Sequence, residues 1–211
     1  MGRYVGPVCR RCRREGIKLM LKGTRCETAK CPMERQDRSL PPGQSKSVRR
    51  GQASEYGKRL RETQKVKRYY GLFDRQFRRY FERAQHSPEN TGQALLMLLE
   101  RRLDNVICKL GFAPSRKSAR ELITHKHFTV NGKYVTKPGY LVSVLDKISV
   151  REKESSRKMV RTWLEADPNR PVQPWLKLDV PNLIAGVVSL PTRDDVQIPV
   201  EEQLIVEFCS R

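Results

Sequence analysis

No stretch of this 211-residue chain approaches the roughly 18 to 20 consecutive apolar residues that a membrane-spanning helix requires. The longest apolar runs, Ala94–Leu99 and Leu183–Val188, have the length of core segments, so no membrane partner is expected. The first residues, Met1 to Arg14, hold arginines where an export leader would hold an apolar run, so nothing there directs secretion. The six cysteines are therefore expected in the reducing cytoplasm, where disulfides are rare. Catalytic signatures are missing as well. There is no G-x-x-x-x-G-K-S/T phosphate loop and no pair of glycines at G-x-G spacing. The three histidines, His86, His125 and His127, accompany no nucleophile motif. Asp194-Asp195 is the most tempting carboxylate pair, but adjacent acids before an apolar segment read better as a turn with capping potential. The expectation is a protein that is not an enzyme and has no small-molecule substrate.

What is abundant is positive charge. Lys and Arg number 43 against 23 Asp and Glu, a formal net charge of +20, with an isoelectric point near 10.1. Such self-repulsion strains a free compact protein, and a polyanion relieves it. The charge is unevenly placed. Residues 1–50 carry 14 basic and 4 acidic residues, whereas residues 155–211 carry 7 and 8. The first three quarters of the chain thus read as built for phosphate and the last quarter as facing protein. Guanidinium suits phosphate well, and with two lysines and one glutamine among the arginines the candidate contacts are Arg3, Arg10, Arg11, Arg13, Arg14, Gln44, Lys46, Arg49, Arg50, Arg59, Lys65, Arg68, Arg75, Arg78 and Arg79. Tyr4, Tyr56, Tyr69 and Tyr70 are candidate stacking or hydrogen-bonding partners, although tyrosines at helical spacing are more often core, a reading open for Tyr56 and Tyr70.

Hydrophobic period predicts a mixed α+β fold with 37% apolar residues, enough for real cores. Residues 54–70 read as a helix, capped by Ser54 and ended by Gly71. A second helix from Asp74 places Phe77, Tyr80, Phe81 and Ala84 on one stripe, opposite Arg75, Arg78, Arg79 and Arg83. A third runs unbroken from Thr91 to Leu110, closed by Gly111, with Cys108 as a small packing residue. Ser115 caps a short helix to about His125. Asn131-Gly132 between β-branched and aromatic residues predicts a hairpin over Phe128–Val135, joined by strands at Tyr140–Val144 and Ile148–Val150. A last helix spans Ser156–Ala166, and the tail ends at Leu204–Phe208 in a strand or an extended docking segment.

Cys9-x2-Cys12 is followed after thirteen residues by Cys26-x4-Cys31. Two close thiol pairs joined by a short spacer match a closed tetrahedral Zn²⁺ site that needs no other ligand. A [4Fe–4S] cluster accepts the same four thiolates and stands as the alternative. Either group would be structural, ordering an Arg-rich segment too poor in large apolar residues to fold by burial alone.

Several segments in order resemble the S4 family of bacterial small-subunit ribosomal proteins. They are Gly2-Arg-Tyr-Val-Gly-Pro7, Cys9-Arg-Arg-Cys-Arg-Arg-Glu-Gly16, Pro41-Pro-Gly-Gln44, Leu60-Arg-Glu-Thr-Gln-Lys65, Leu99-Glu-Arg-Arg-Leu-Asp-Asn-Val106, Val130-Asn-Gly and Glu202-Gln-Leu-Ile-Val-Glu-Phe208. The resemblance implies a metal-binding N-terminal segment over 1–44 and a helical body over 45–98, joined by the tail 175–211. A small RNA-binding module with a trailing helix would occupy 99–174. It implies a protein that binds 16S rRNA at a multi-helix junction early in assembly and contacts protein S5. The same family lines the channel by which messenger RNA (mRNA) enters, near Arg49 and Arg50, and influences decoding accuracy. Within the module the contacts it implies are Arg116, Lys117, Arg120, His125 and Lys126. A stand-alone RNA chaperone or an RNA-modifying subunit would share only that module. A DNA-binding finger would need helix-borne histidines that are not present.

Overall fold

The computed structural model describes residues 4–35, 40–43, 54–167 and 170–210. The chain divides into two compact units, Met1–Leu95 with Ile198–Arg211, and Leu96–Gln197. The expected assignment of the whole tail 175–211 to the helical body is not how the chain divides, because two strands before residue 190 join the second unit's sheet.

In the first unit, α1 (Cys9–Glu15) ends on Gly16, whose φ of 73° is left-handed and whose N–H reaches back to the Cys12 carbonyl. A short 3-10 turn follows at Gly23–Cys26. Helix α2 (Glu55–Tyr70) begins as expected at Ser54, whose side chain accepts from the Gly57 N–H at 3.2 Å, and ends at Gly71 with φ 67°. Helix α3 (Asp74–Gln85) buries Phe77, Tyr80, Phe81 and Ala84 and leaves Arg75, Arg78, Arg79 and Arg83 exposed. Val66, Tyr69, Tyr70, Ala94 and Leu95 are buried in the same unit.

Two expectations fail here for physical reasons. The single helix from Thr91 to Leu110 is two helices, α4 (Thr91–Glu100) and α5 (Leu103–Lys109), and the division between units falls within α4. Between them Arg102 is extended (φ −66°, ψ 134°) and bridges Leu141. The Leu103 N–H donates to the Tyr140 carbonyl and the Asp104 N–H to the Pro138 carbonyl. Tertiary pairing thus replaces helical bonds that the apolar period alone would continue. The segment Leu204–Phe208, expected to be extended, lies in helix α8 (Glu202–Cys209), which packs on α2. Its Ile205 is buried and its Phe208 ring lies 5.7 Å from that of Tyr56. A short β-branched run does not distinguish strand from buried helix.

The second unit packs α5, α6 (Arg116–Thr124) and α7 (Glu154–Ala166) with one antiparallel sheet. Its strands are β1 (Phe128–Val130), β2 (Lys133–Tyr134), β3 (Lys147–Val150), β4 (Leu176–Asp179) and β5 (Ile184–Val187), in the order β2-β1-β3-β5-β4. The predicted hairpin is present. Asn131 (φ 51°) and Gly132 (φ 76°) are both left-handed, as its two-residue turn requires. The Asn131 side chain also accepts from the Lys147 N–H at 2.9 Å and donates to Asp146 at 2.8 Å, tying the turn to β3. The expected strand at Tyr140–Val144 is a loop with a single bridge, its Tyr140 carbonyl accepting from the Leu103 N–H at the start of α5 and its Val142 carbonyl from Arg101 Nε. In its place β5 pairs with β3, Ile148 opposite Ala185. The core joins Leu103, Val106, Ile107 and Cys108 to Phe112 and Phe128, stacked at 6.1 Å, and to Trp175.

Candidate nucleic-acid interface

The four paired cysteines lie in the N-terminal segment, on and after α1. Cys12, Cys26 and Cys31 are buried and Cys9 half-buried, all as free thiols. Burial pushes the Cys12 and Cys26 thiols up, and each is pushed further by its cysteine neighbours: Cys26, Cys9 and Cys31 act on Cys12, and Cys31 and Cys9 act on Cys26. Backbone N–H groups oppose that shift, including Lys22 N–H donating to Cys26 Sγ at 3.3 Å. Among the described residues no ready-formed group of three or more His, Cys, Asp or Glu ligands is assembled. The donor set is still of the kind a thiophilic ion takes: four free thiols, with backbone amides directed at Cys12 and Cys26.

Beside these cysteines, α1 and α2 line a cleft of about 460 Å³. Arg10, Arg11 and Arg14 face it from α1, and Lys67 and Arg68 from α2. The Arg11 guanidinium stacks on the Tyr4 ring at 3.7 Å. Burial holds Arg11 below the ordinary arginine range; Tyr4 offsets this and Arg68 adds to it. Arg68 pairs with Glu15, a carboxylate that Arg61 also approaches at 3.4 Å. Burial nonetheless raises the Glu15 carboxyl, with Arg68 and Arg61 opposing.

The predicted cations sort into two groups. Several are engaged within the fold: Arg13 donates to the Leu40 carbonyl (2.7 Å), Arg59 to Glu207 (2.5 Å), and Lys65 to Glu62 (2.5 Å) and the Pro199 carbonyl (3.2 Å). Others are exposed and carry no ion pair among the described residues: Arg10, Arg14, Arg75, Arg78 and Arg79. Tyr56 is 59% exposed beside Phe208, a usable aromatic face. Tyr69 is 6% exposed and packs edge-on against Tyr70, so this residue belongs to the core and offers no face to a base. Arg3, Gln44, Lys46, Arg49 and Arg50 lie outside the described residues.

In the second unit the candidates gather on α6 and the turn after it. Ser115 caps the helix, accepting from the Ser118 N–H at 3.2 Å. Ala119, Leu122 and Ile123 point inward; Lys117 is exposed, and Arg116 and Arg120 are half-buried. His125 is exposed, and Lys126 follows in a left-handed conformation (φ 61°) that turns the chain into β1. His127 is half-buried with Nδ1 3.0 Å from Ser156 Oγ. Burial lowers its pKa from 6.5, and His125, Arg151 and Lys153 lower it further. Sequence reasoning missed Tyr134, 55% exposed with Arg151 over its ring at 5.5 Å. It also missed a buried polar network under α6. The signal for that network was present: Glu100, Asp104 and Asn105 interrupt an apolar run. Asp195 behaves as the sequence suggested, accepting from the Thr192 N–H (2.7 Å) and hydroxyl (2.9 Å) in a turn.

Arginine-faced helices over closed apolar cores, in both units, define a protein of the polyanion-binding class. A family model described as "Ribosomal protein S4/S9 N-terminal domain" matches residues 3–100, and one described as "S4 domain" matches residues 101–148. Small ribosomal subunit protein uS4 of Thermus thermophilus is 52% identical over 211 residues, covering 100% of both chains. The protein of the same name from Caldicellulosiruptor saccharolyticus is also 52% identical over 211 residues, and that from Desulforamulus reducens is 50% identical. The chain belongs to the bacterial uS4 family of ribosomal proteins.

Proposed function

We infer that this protein is a structural, non-enzymatic constituent of the small ribosomal subunit that binds 16S rRNA in the cytoplasm. The observation that carries this is identity of 52% running through the whole chain, across both cationic units. The physical basis is multivalent: exposed arginines on α1 and α3 and the α6 cluster displace counterions from phosphate together. The test is binding of the purified chain to 16S rRNA at increasing NaCl. Affinity is expected to fall about 10³-fold or more between roughly 50 and 200 mM if six or more phosphates are engaged. A flat response would overturn the reading.

The finer role follows the family resemblance: early binding at a multi-helix junction, contact with protein S5, a place beside the channel that admits mRNA, and an influence on decoding accuracy. Cys9, Cys12, Cys26 and Cys31 would hold Zn²⁺ as a closed structural site, its charge stabilising the thiolates that burial disfavours. Elemental analysis of the purified chain is expected to find stoichiometric zinc; iron with visible absorbance would instead assign the cluster. Replacing Cys9 and Cys12 by Ser is expected to open residues 1–44 to protease while the second unit stays protected. Loss of protection in both would refute the modular arrangement.

A further inference from the structure

We propose that the solvent-facing side of the five-stranded sheet in the second unit is a further contact for 16S rRNA. A sugar–phosphate strand seats over Gly186 between Lys147 and Lys177, with a base beside Tyr134. The inference rests on the reading of the chain as an rRNA binder and extends the contact beyond α6. Side chains alternate across a strand. Phe128, Val130, Ile148, Val150, Ala185 and Val187 are buried in the core, so the residues between them share the opposite face. Register sets two rows there. Lys147, Gly186 and Lys177 lie side by side on β3, β5 and β4. Tyr134, Thr129, Ser149 and Ile184 lie side by side on β2, β1, β3 and β5.

An antiparallel sheet commonly leaves one face to water, but the composition of this one goes further. Gly186 stands within β5, where glycine gives up backbone entropy and packs nothing. The fold does not call for it: its φ is not left-handed, and a Cβ placed there meets nothing within 4 Å. What the missing side chain permits is close approach by another backbone. The strands of Lys147 and Lys177 are two spacings apart, about 10 Å. Both lysines are exposed and carry no ion pair among the described residues. Two cations flanking a bare strand complement a phosphate chain. In the other row Tyr134 is 55% exposed, with Arg151 over its ring at 5.5 Å. Unstacked RNA bases take such aromatic and guanidinium planes. Thr129 and Ser149 beside it are small and bonded to each other, Oγ1 to Oγ at 2.6 Å, so the row stays low next to the ring. Asp179, at the far end of that row, is taken up by Asn182 at 2.8 Å.

The test is binding of the full chain to 16S rRNA across a salt series, with melting curves in parallel. Gly186→Thr is the sharpest variant, because threonine favours strands and has room here. It is expected to keep or raise the melting temperature while weakening binding about fivefold or more, the scale of a side chain forced into a close contact. Lys147→Gln combined with Lys177→Gln is expected to reduce the salt slope by about two, one for each phosphate contact. Tyr134→Ala is expected to weaken binding about fivefold or more, the scale of one stacked base. Native affinity in a folded Gly186→Thr or Tyr134→Ala chain, or an unchanged slope in the double lysine variant, overturns the proposal. Should Gly186→Thr fail to fold, the double lysine variant decides. Variants that bind rRNA natively yet enter reconstituted subunits poorly would give this face to a neighbouring protein, and likewise overturn it. A native chain without salt-dependent binding would instead remove the rRNA reading itself.

Discussion

A cation already engaged by a carboxylate inside the fold has less to give to phosphate than one held only by solvent, and the arginines of α2 and α3 differ in this way. Arg59 is paired with Glu207 across α2 and α8, whereas Arg78 is exposed with no ion pair among the described residues. Arg78→Ala is expected to lower rRNA affinity and the salt slope by about one while leaving the melting temperature in place. Arg59→Ala is expected to cost up to about 1 kcal/mol in stability, the range for a partly exposed pair, with a smaller change in slope. Titration and unfolding curves of the two variants check this, and reversed effects would undo the sorting. His127 gives a pH dependence with a definite sign. Its folded pKa lies below 6.5, chiefly from burial, so the unfolded chain takes up the proton first as pH falls. Stability present above about 6.5 should therefore decline on acidification and level off once the folded form also protonates. His127→Gln is expected to flatten that decline in melts between neutral and mildly acidic pH. A variant that follows the native curve would place the sensitivity elsewhere.

Helices carry the candidate contacts, so their ends matter for function as well as stability. Ser115 is the clearest case, since its hydroxyl satisfies the Ser118 N–H at the turn that presents Arg116 and Lys117. Ser115→Ala is expected to cost about 1 kcal/mol and to weaken rRNA binding, whereas Ser115→Asp should retain both. An alanine variant with native stability would remove the cap from the account. Such ends were legible in the sequence, because Ser54, Gly71, Ser115 and Asn131-Gly132 act through their own backbones and nearest neighbours. The break at Arg102 was not, because its cause is a partner nearly forty residues away at Leu141. Nor were β4 and β5, whose proline-flanked segments become strands only when β3 offers them an edge. The pairing within the network beneath α6 was hidden for the same reason, although the polar residues that build it stood out. Asn105 and Arg116 are in different helices, and no periodicity tells which buried polar group will find which partner.

The net charge of +20 makes opposite demands on the free and the bound protein. In the free chain, excess cations repel one another over distances that salt shortens, the screening length falling to about 10 Å at 0.1 M. In the complex the same cations hold phosphate, and salt competes with them. Raising NaCl should therefore raise the melting temperature of the free protein over the same range in which it lowers rRNA affinity. Internal pairs work against the first effect, since screening weakens Arg59–Glu207 and Lys58–Glu55 at the surface. The buried Arg102–Asp104 and Lys109–Glu100 pairs are largely sheltered from screening. With 20 more basic than acidic side chains, repulsion should exceed the loss of a few exposed pairs, each contributing about 0 to 1 kcal/mol. Melting curves and binding titrations in one buffer series test the balance. A free protein that loses stability as salt rises would show that its cations are neutralised within the fold, and the case for a polyanion as the missing partner would lose its physical ground.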